Sequence, residues 1–275
     1  MSTFYDKFKH YRRQRRSLLC VGLDPVIQKL PPGYDSRDII ENTVSFLSDI
    51  IAATKDVAIA YKPNLAFFEV LGPDGMRVFQ RTIQTIRSEA PEALIIADAK
   101  RGDVGHTARM YADTFFQTYD CDAVTINPYM GFDTIEPFIQ DPERAAIVLC
   151  HTSNPDADRF QNLGDPALYL EVARSMQSRN ENQNLWLVVG ATRNMESVER
   201  IRMAAPDLPF LVPGIGAQGG DLERVLQVAG NNLLINVGRA IMYTADHRSN
   251  VPDRARMAAL RWVNEIRNHA GSAAF

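Results

Sequence analysis

Eight short apolar runs punctuate the 275-residue chain: Leu18–Leu23, Val57–Tyr61, Leu94–Ala97, Ala123–Ile126, Ala146–Leu149, Leu185–Val189, Phe210–Val212 and Leu233–Val237. None alternates polar with apolar residues, which is the pattern of parallel strands buried on both faces. The segments between them carry helical periodicity. Ile39, Ile40, Val44, Leu47, Ile50 and Ile51 form one stripe behind a Ser36 cap, and Val78, Phe79, Ile83 and Ile86 form another that Pro91 ends. Asp165-Pro166 reads as the cap and first turn of a helix through Met176, while Gly219-Gly220-Asp221 opens a helix that Gly230 stops. Eight β-then-α units in one chain of this length predict an α/β fold, a (β/α)8 TIM barrel forming a single domain over residues 1–275. A doubly wound open sheet uses the same local signals and is the alternative.

Composition narrows the setting. Hydrophobic residues make up 45% of the chain, enough for a large core, yet no apolar run approaches the ~20 residues of a membrane span. The N-terminus has no apolar signal core, so a cytoplasmic protein is expected. A net charge of −3 gives no overall pull toward nucleic acid. The basic run Arg12-Arg13-Gln14-Arg15-Arg16 reads as a solvated helix face. Cys20, Cys121 and Cys150 sit in or beside apolar segments without metal spacing, and read as buried, reduced thiols. Thr152–Asp165, rich in Asn, Asp, Pro and Gly, is a long loop after the fifth strand.

In a barrel the C-terminal ends of the strands meet at one face, where active sites form. Read in order, those ends carry Asp24, Lys62, Asp98 with Lys100, Asn127, and His151 with Thr152 and Ser153. The densest stretch is Asp98-Ala99-Lys100-Arg101-Gly102-Asp103. Strand geometry places side chains two apart on one face, so Asp98 and Lys100 project together, and Asp103 follows a glycine that lets the chain turn. The last two strand ends, Pro213–Gly220 and Val237-Gly238-Arg239, read as a phosphate cradle: glycines let backbone N–H groups approach, and Arg239 supplies a planar fork of donors. Gly214, Gly216 and Gly219 also satisfy G-x-G-x-x-G, but Asn236, Gly238 and Arg239 stand where a dinucleotide site needs an acid.

Three chemistries fit the central cluster. A metal site from Asp98, Asp103, His106 and His151 is one, although Lys100 occupies the place of a cation. A Schiff-base lysine at 62 or 100 is another, although neighbouring carboxylates favour the protonated form. The third uses the ammonium itself as a proton donor to a developing carbanion, which suits decarboxylation without a cofactor. No G-x-S-x-G occurs, so acyl transfer has little support.

The segment Ala97–Val104 resembles the D-x-K-x-x-D signature of the orotidine 5′-phosphate decarboxylase family, in its longer form reading D-A-K-R-G-D. Further matches in order are Gly22-Leu23-Asp24-Pro25, Lys62-Pro63-Asn64, Thr152-Ser153-Asn154-Pro155, Pro213–Gly220 and Val237-Gly238-Arg239. The resemblance implies conversion of orotidine 5′-monophosphate to uridine 5′-monophosphate with no metal or organic cofactor. By it, Lys100 protonates C6, Asp98 sits beside the substrate carboxylate, and Lys62 bridges the array and the ribose. Asp24 holds a ribose hydroxyl, Ser153 contacts the pyrimidine, Pro213 lines the pocket, and Gln218, Gly238 and Arg239 grip the phosphate. Asp103 and Thr107 enter the neighbouring subunit's site, which makes a homodimer. A magnesium-dependent sugar-phosphate lyase carrying the same signature and a non-catalytic phosphate-binding barrel are the other readings.

Overall fold

A computed structural model describes residues 3–190, 195–215, 221–271 and 275. The chain opens with α1 (Phe4–Arg15) and β1 (Leu19–Leu23), followed by α2 (Ile39–Thr54) and β2 (Ala60–Pro63). Then come α3 (Ala66–Glu69), α4 (Gly72–Glu89), β3 (Leu94–Arg101) and α5 (Gly105–Asp113), which runs into a π-turn at Thr114–Thr118. The middle holds β4 (Ala123–Ile126), β5 (Ala145–His151), α6 (Asp158–Gln161) and α7 (Leu168–Ser178). It continues as β6 (Leu185–Val189), α8 (Met195–Ala204), β7 (Phe210–Val212), α9 (Leu222–Ala229), β8 (Leu233–Val237), α10 (Arg239–Met242) and α11 (Val251–Ala270).

The eight strands pair in parallel and in chain order, and β1 closes on β8. This is the (β/α)8 barrel, not the open sheet. One unit departs from the expected alternation: β4 reaches β5 through two short 3₁₀ turns, Phe132–Thr134 and Glu136–Phe138. Gly131 at φ +104° and Pro137 near the start of the second turn leave no room for a longer helix.

Strand alternation sorts the core into two bodies. Cys20, Ala60, Leu94, Ile96, Ala123, Ala145, Ile147, Trp186, Val188, Leu211 and Leu234 cluster with Phe4 and Phe8, whereas their strand neighbours pack under the helices. The first set fills the barrel interior, and α1 plugs its N-terminal mouth. Phe4 and Phe8 meet Trp186 edge-on, with ring centroids 5.3 and 4.8 Å apart.

The basic run on α1 is therefore more than a solvated face. Arg12 donates to the carbonyl of Asn231 at 3.1 Å, Arg15 donates to that of Ala58, and Arg267 holds the carbonyls of Arg15 and Arg16. The guanidinium groups satisfy loop carbonyls at the closed end of the barrel. Two helix starts also differ from expectation. Asp38, not Ser36, caps α2 by accepting the Ile40 N–H, while Ser36 accepts the N–H of Asp38 one step earlier. α7 starts at Leu168 behind Ala167, beyond Asp165-Pro166. Asp221 caps α9 as expected, and Gly230 ends it at φ +72°. All three cysteines are free and buried. Among the described residues no helix is long and apolar enough to cross a membrane.

Candidate active site

The alternation that fills the barrel also builds its open end. Continuing each interior row by two residues toward the C-terminal mouth gives Lys62 after Ala60, Asp98 after Ile96, Thr125 after Ala123, Leu149 after Ile147 and Pro213 after Leu211. These side chains, with Lys100, Val188 and the segment Thr152-Ser153-Asn154, line a cavity of about 270 Å³. Apolar surface from Leu149, Val188 and Leu211 faces the charged groups across it.

Asp98 is the centre of the array. Its Oδ2 accepts from Lys62 Nζ at 2.6 Å, and its Oδ1 from Lys100 Nζ at 2.6 Å. The Thr125 hydroxyl also donates to Oδ1, at 3.1 Å. Burial alone would raise the Asp98 pKa, but Lys62 and Lys100 outweigh it and hold the carboxyl well below the ordinary range. Burial likewise favours a neutral Lys62; Asp98 and Asp24 reverse this and keep it an ammonium with its pKa raised. The two lysines differ in access, with 5% of the Lys62 side chain and 49% of the Lys100 side chain exposed. Lys62 is locked in the wall, whereas Lys100 stands at the mouth.

Lys100 and Asp98 meet as the two-residue spacing required, but the backbone between them is irregular. The β3–β4 register shifts between Ala97 and Arg101, and Lys100 has φ +48°. Its N–H donates to Thr125 Oγ1 at 2.9 Å, so one threonine fixes both the carboxylate and the lysine backbone. Thr125 was not singled out in the sequence; the signal available was its place two residues beyond interior Ala123.

Asp24 continues the β1 row beyond Cys20 and Gly22. Its Oδ1 is buried and has no hydrogen-bond partner among the described residues, although Asp24 is not among the residues that line the cavity. Burial raises its pKa, with Lys62 pulling it back down. Its backbone is fixed by the Tyr243 hydroxyl, which donates to the Asp24 carbonyl at 3.0 Å and accepts from Val26 N–H at 2.6 Å. Glycine is needed where β1 and β8 converge: a Cβ on Gly22 would lie 3.1 Å from the Gly238 Cα. A Cβ on Gly238 would lie 3.7 Å from Asp24 Oδ2, which places the β8 end beside the array. Arg239 follows at the start of α10 and is exposed. Gln218 lies outside the described residues, as do Gly216, Gly219 and Gly220.

Asp103 and Thr107 do not line this cavity. The Asp103 carboxylate accepts the N–H of Val104 at 2.8 Å, and Thr107 lies exposed on α5. The histidines are elsewhere too. His106 is exposed on α5, and His151 packs edge-on against Tyr169 of α7, ring centroids 5.0 Å apart. Asp98, Asp103, His106 and His151 are thus dispersed, and no cluster of three metal-ligating side chains exists among the described residues. Asn127 serves the turn after β4, accepting the Tyr129 N–H. Arg101 leaves the mouth and pairs with Glu69 of α3.

A closed parallel barrel with a lysine–aspartate array at its C-terminal mouth has the architecture of a barrel enzyme. The model of the orotidine 5′-phosphate decarboxylase / HUMPS family matches residues 17–252, and the chain belongs to that family. It is 44% identical over 261 residues to the orotidine 5′-phosphate decarboxylase of Herpetosiphon aurantiacus, covering 93% of this chain and 95% of that one. Among solved structures it is similar to Leishmania donovani OMP decarboxylase, with a TM-score of 0.81, 36% identity, and coverage of 96% and 97%. It also matches Leishmania donovani UMP synthase with a TM-score of 0.85 and 37% identity; 98% of this chain spans 57% of that longer one.

Proposed function

We propose that this chain decarboxylates orotidine 5′-monophosphate to uridine 5′-monophosphate by direct proton transfer from Lys100. The C6–carboxylate bond breaks, carbon dioxide leaves, and the electron pair left on C6 takes a proton from Lys100 Nζ. Solvent then returns a proton to the lysine. The observation that carries this reading is the pair of 2.6 Å contacts that hold two ammonium groups on one buried carboxylate. A substrate carboxylate placed against Asp98 is repelled until it departs as neutral gas, while the C6 carbanion is attracted to Lys100.

The remaining roles follow from the family resemblance. Lys62 links the array to the ribose, and the unused Asp24 oxygen accepts from a ribose hydroxyl. Ser153 and Pro213, on the cavity wall, contact the pyrimidine and line the pocket. Gln218, Gly238 and Arg239 hold the phosphate. Asp103 and Thr107 do not line their own cavity, which supports a homodimer in which each completes its partner's site; Val104 and Met110, beside them, leave apolar side chains in water. No metal or organic cofactor is required, and a single cytoplasmic barrel domain over residues 1–275 suffices. The deciding assay follows the orotate chromophore of orotidine 5′-monophosphate with purified protein in EDTA. Loss of absorbance with release of carbon dioxide is expected; turnover of a sugar phosphate that needs added Mg²⁺, with no reaction of the nucleotide, overturns the reading.

A further inference from the structure

We propose that Asn154 sets pyrimidine specificity by presenting an amide N–H, not its carbonyl, to an exocyclic carbonyl oxygen of the ring. Gln161 and Thr152 fix that polarity. The inference deepens the functional reading above and rests on it for the identity of the ligand.

The polarity follows from a donor that cannot reverse. The backbone N–H of Thr152 can only donate, and it donates to Gln161 Oε1 at 2.9 Å. This orients the Gln161 amide and directs Nε2 to the Thr152 hydroxyl at 2.8 Å. Nε2 also can only donate, so Thr152 Oγ1 accepts there and keeps its own proton free to donate. It goes to Asn154 Oδ1, 2.7 Å away. The Asn154 oxygen is thereby engaged, and Nδ2 is left as the free end, with no partner among the described residues. Thr152 and Asn154 line the same cavity as Lys62, Asp98 and Lys100. Gln161 is the last residue of α6, which is tied back to the same segment by the Ala157 N–H on the Asn154 carbonyl at 3.2 Å. The four-residue helix is thus a bracket that holds a hydrogen-bond relay in one direction.

A ring carbonyl meets a donor at this position, whereas a ring amino group meets a like group and leaves both unpaired. The test measures binding of uridine 5′-monophosphate and cytidine 5′-monophosphate by calorimetry, with ribose 5-phosphate as the ligand lacking the ring. Wild type should favour the uridine nucleotide. Asn154→Asp, which replaces the donor by an acceptor, should reduce that preference about tenfold, and the uncharged Asn154→Ala should reduce it several-fold. Thr152→Val, which breaks the relay but keeps Asn154, should also reduce it. Ribose 5-phosphate affinity should stay constant throughout. The proposal is overturned if the nucleotide ratio stays within twofold of wild type in Asn154→Asp and Thr152→Val, or if ribose 5-phosphate binding falls in parallel with uridine 5′-monophosphate. Calorimetry needs no turnover, so a wild-type chain inert toward orotidine 5′-monophosphate refutes the functional reading while the ratio still decides Asn154.

Discussion

Asp98→Asn removes one negative charge from the centre of the array while keeping volume and the hydrogen bond to Thr125. Its two lysine partners respond differently. Lys100, with 49% of its side chain exposed, turns into water at little cost. Lys62, with 5% exposed, has no such exit and among the described residues keeps Asp24 as its counter-charge. Breaking a buried pair by removing one partner costs ~3–5 kcal/mol, and the residual attraction of Asp24 places the expected value near ~3 kcal/mol. At ~2.1 cal/mol/K per residue, the 275-residue chain has an unfolding entropy of about 0.6 kcal/mol/K, so the melting temperature should fall by about 5 °C.

The pH dependence makes the test sharper. In the native chain the folded pKa of Lys62 lies above its unfolded value, so its contribution is complete below ~10.4 and is lost only as pH rises through the folded pKa. In Asp98→Asn, burial becomes the dominant influence and the folded pKa drops below the unfolded one. The unfolded chain then binds more protons, and stability is lost as pH falls. Thermal melts of both proteins at pH 7.5 and 9.5, values that lie below ~10.4, read this directly. The gap between native and variant should narrow at the higher pH. A variant as stable as the native chain, or a gap that stays constant or widens with pH, refutes the account of a buried ammonium held by Asp98.

Four further outcomes are expected. Lys100→Ala should lose at least ~10²–10⁴-fold in kcat while its affinity for uridine 5′-monophosphate, measured by calorimetry, changes little. Gly190→Ala would place a Cβ 2.7 Å from the Ser153 backbone nitrogen, so kcat/KM should fall ~10–100-fold through displacement of the cavity wall, and native-like kcat/KM in the variant would contradict this. Trp186 is fully buried against Phe4 and Phe8, so Trp186→Ala should cost ~3–5 kcal/mol, lowering the melting temperature by about 5–9 °C. Burial lowers the His151 pKa, with Asp158 only partly offsetting it, so the stability of a neutral His151 is complete above ~6.5 and lost as pH falls. Melts from pH 7 to 5 should therefore be steeper for the native chain than for His151→Phe.

The strands were readable because burial on both faces leaves no polar position inside them. Ala123–Ile126, Leu185–Val189, Phe210–Val212 and Leu233–Val237 coincide with β4, β6, β7 and β8. The reading stopped early wherever the interior row turned polar. β3 extends to Arg101 rather than Ala97, and β2 to Pro63 rather than Tyr61, because backbone pairing continues while the side chains change from core to site. Lys62 and Asp98 were visible for the same reason: charge at the end of an apolar run stands out. Thr125 did not stand out, since threonine is ordinary in a strand and its role depends on which residue β3 brings opposite it. Gln161 was further from view, nine residues beyond Thr152 on a helix of only four residues.

What no pattern in the chain disclosed is the backbone at Lys100. Two-residue spacing alone would continue β3 as a regular strand and point Lys100 down the same row as Asp98. At φ +48° the lysine instead sits in the left-handed region, a conformation that costs a residue with a Cβ ~1–2 kcal/mol. Two contacts hold it there: its N–H on Thr125 Oγ1 and its ammonium on Asp98 Oδ1. Both anchors belong to the array, so the strain is sustained by the groups it serves. The bulge brings Nζ back onto Asp98 from the mouth of the barrel, leaving half the side chain open to a ligand and to solvent protons. A regular strand gives a buried ion pair, whereas this one gives an ion pair whose lysine lines the cavity with half its side chain exposed. Thr125→Val removes the backbone anchor without touching charge, and it should lower kcat more than it lowers nucleotide affinity. Equal losses in both would mean that the bulge shapes the pocket and not the donor.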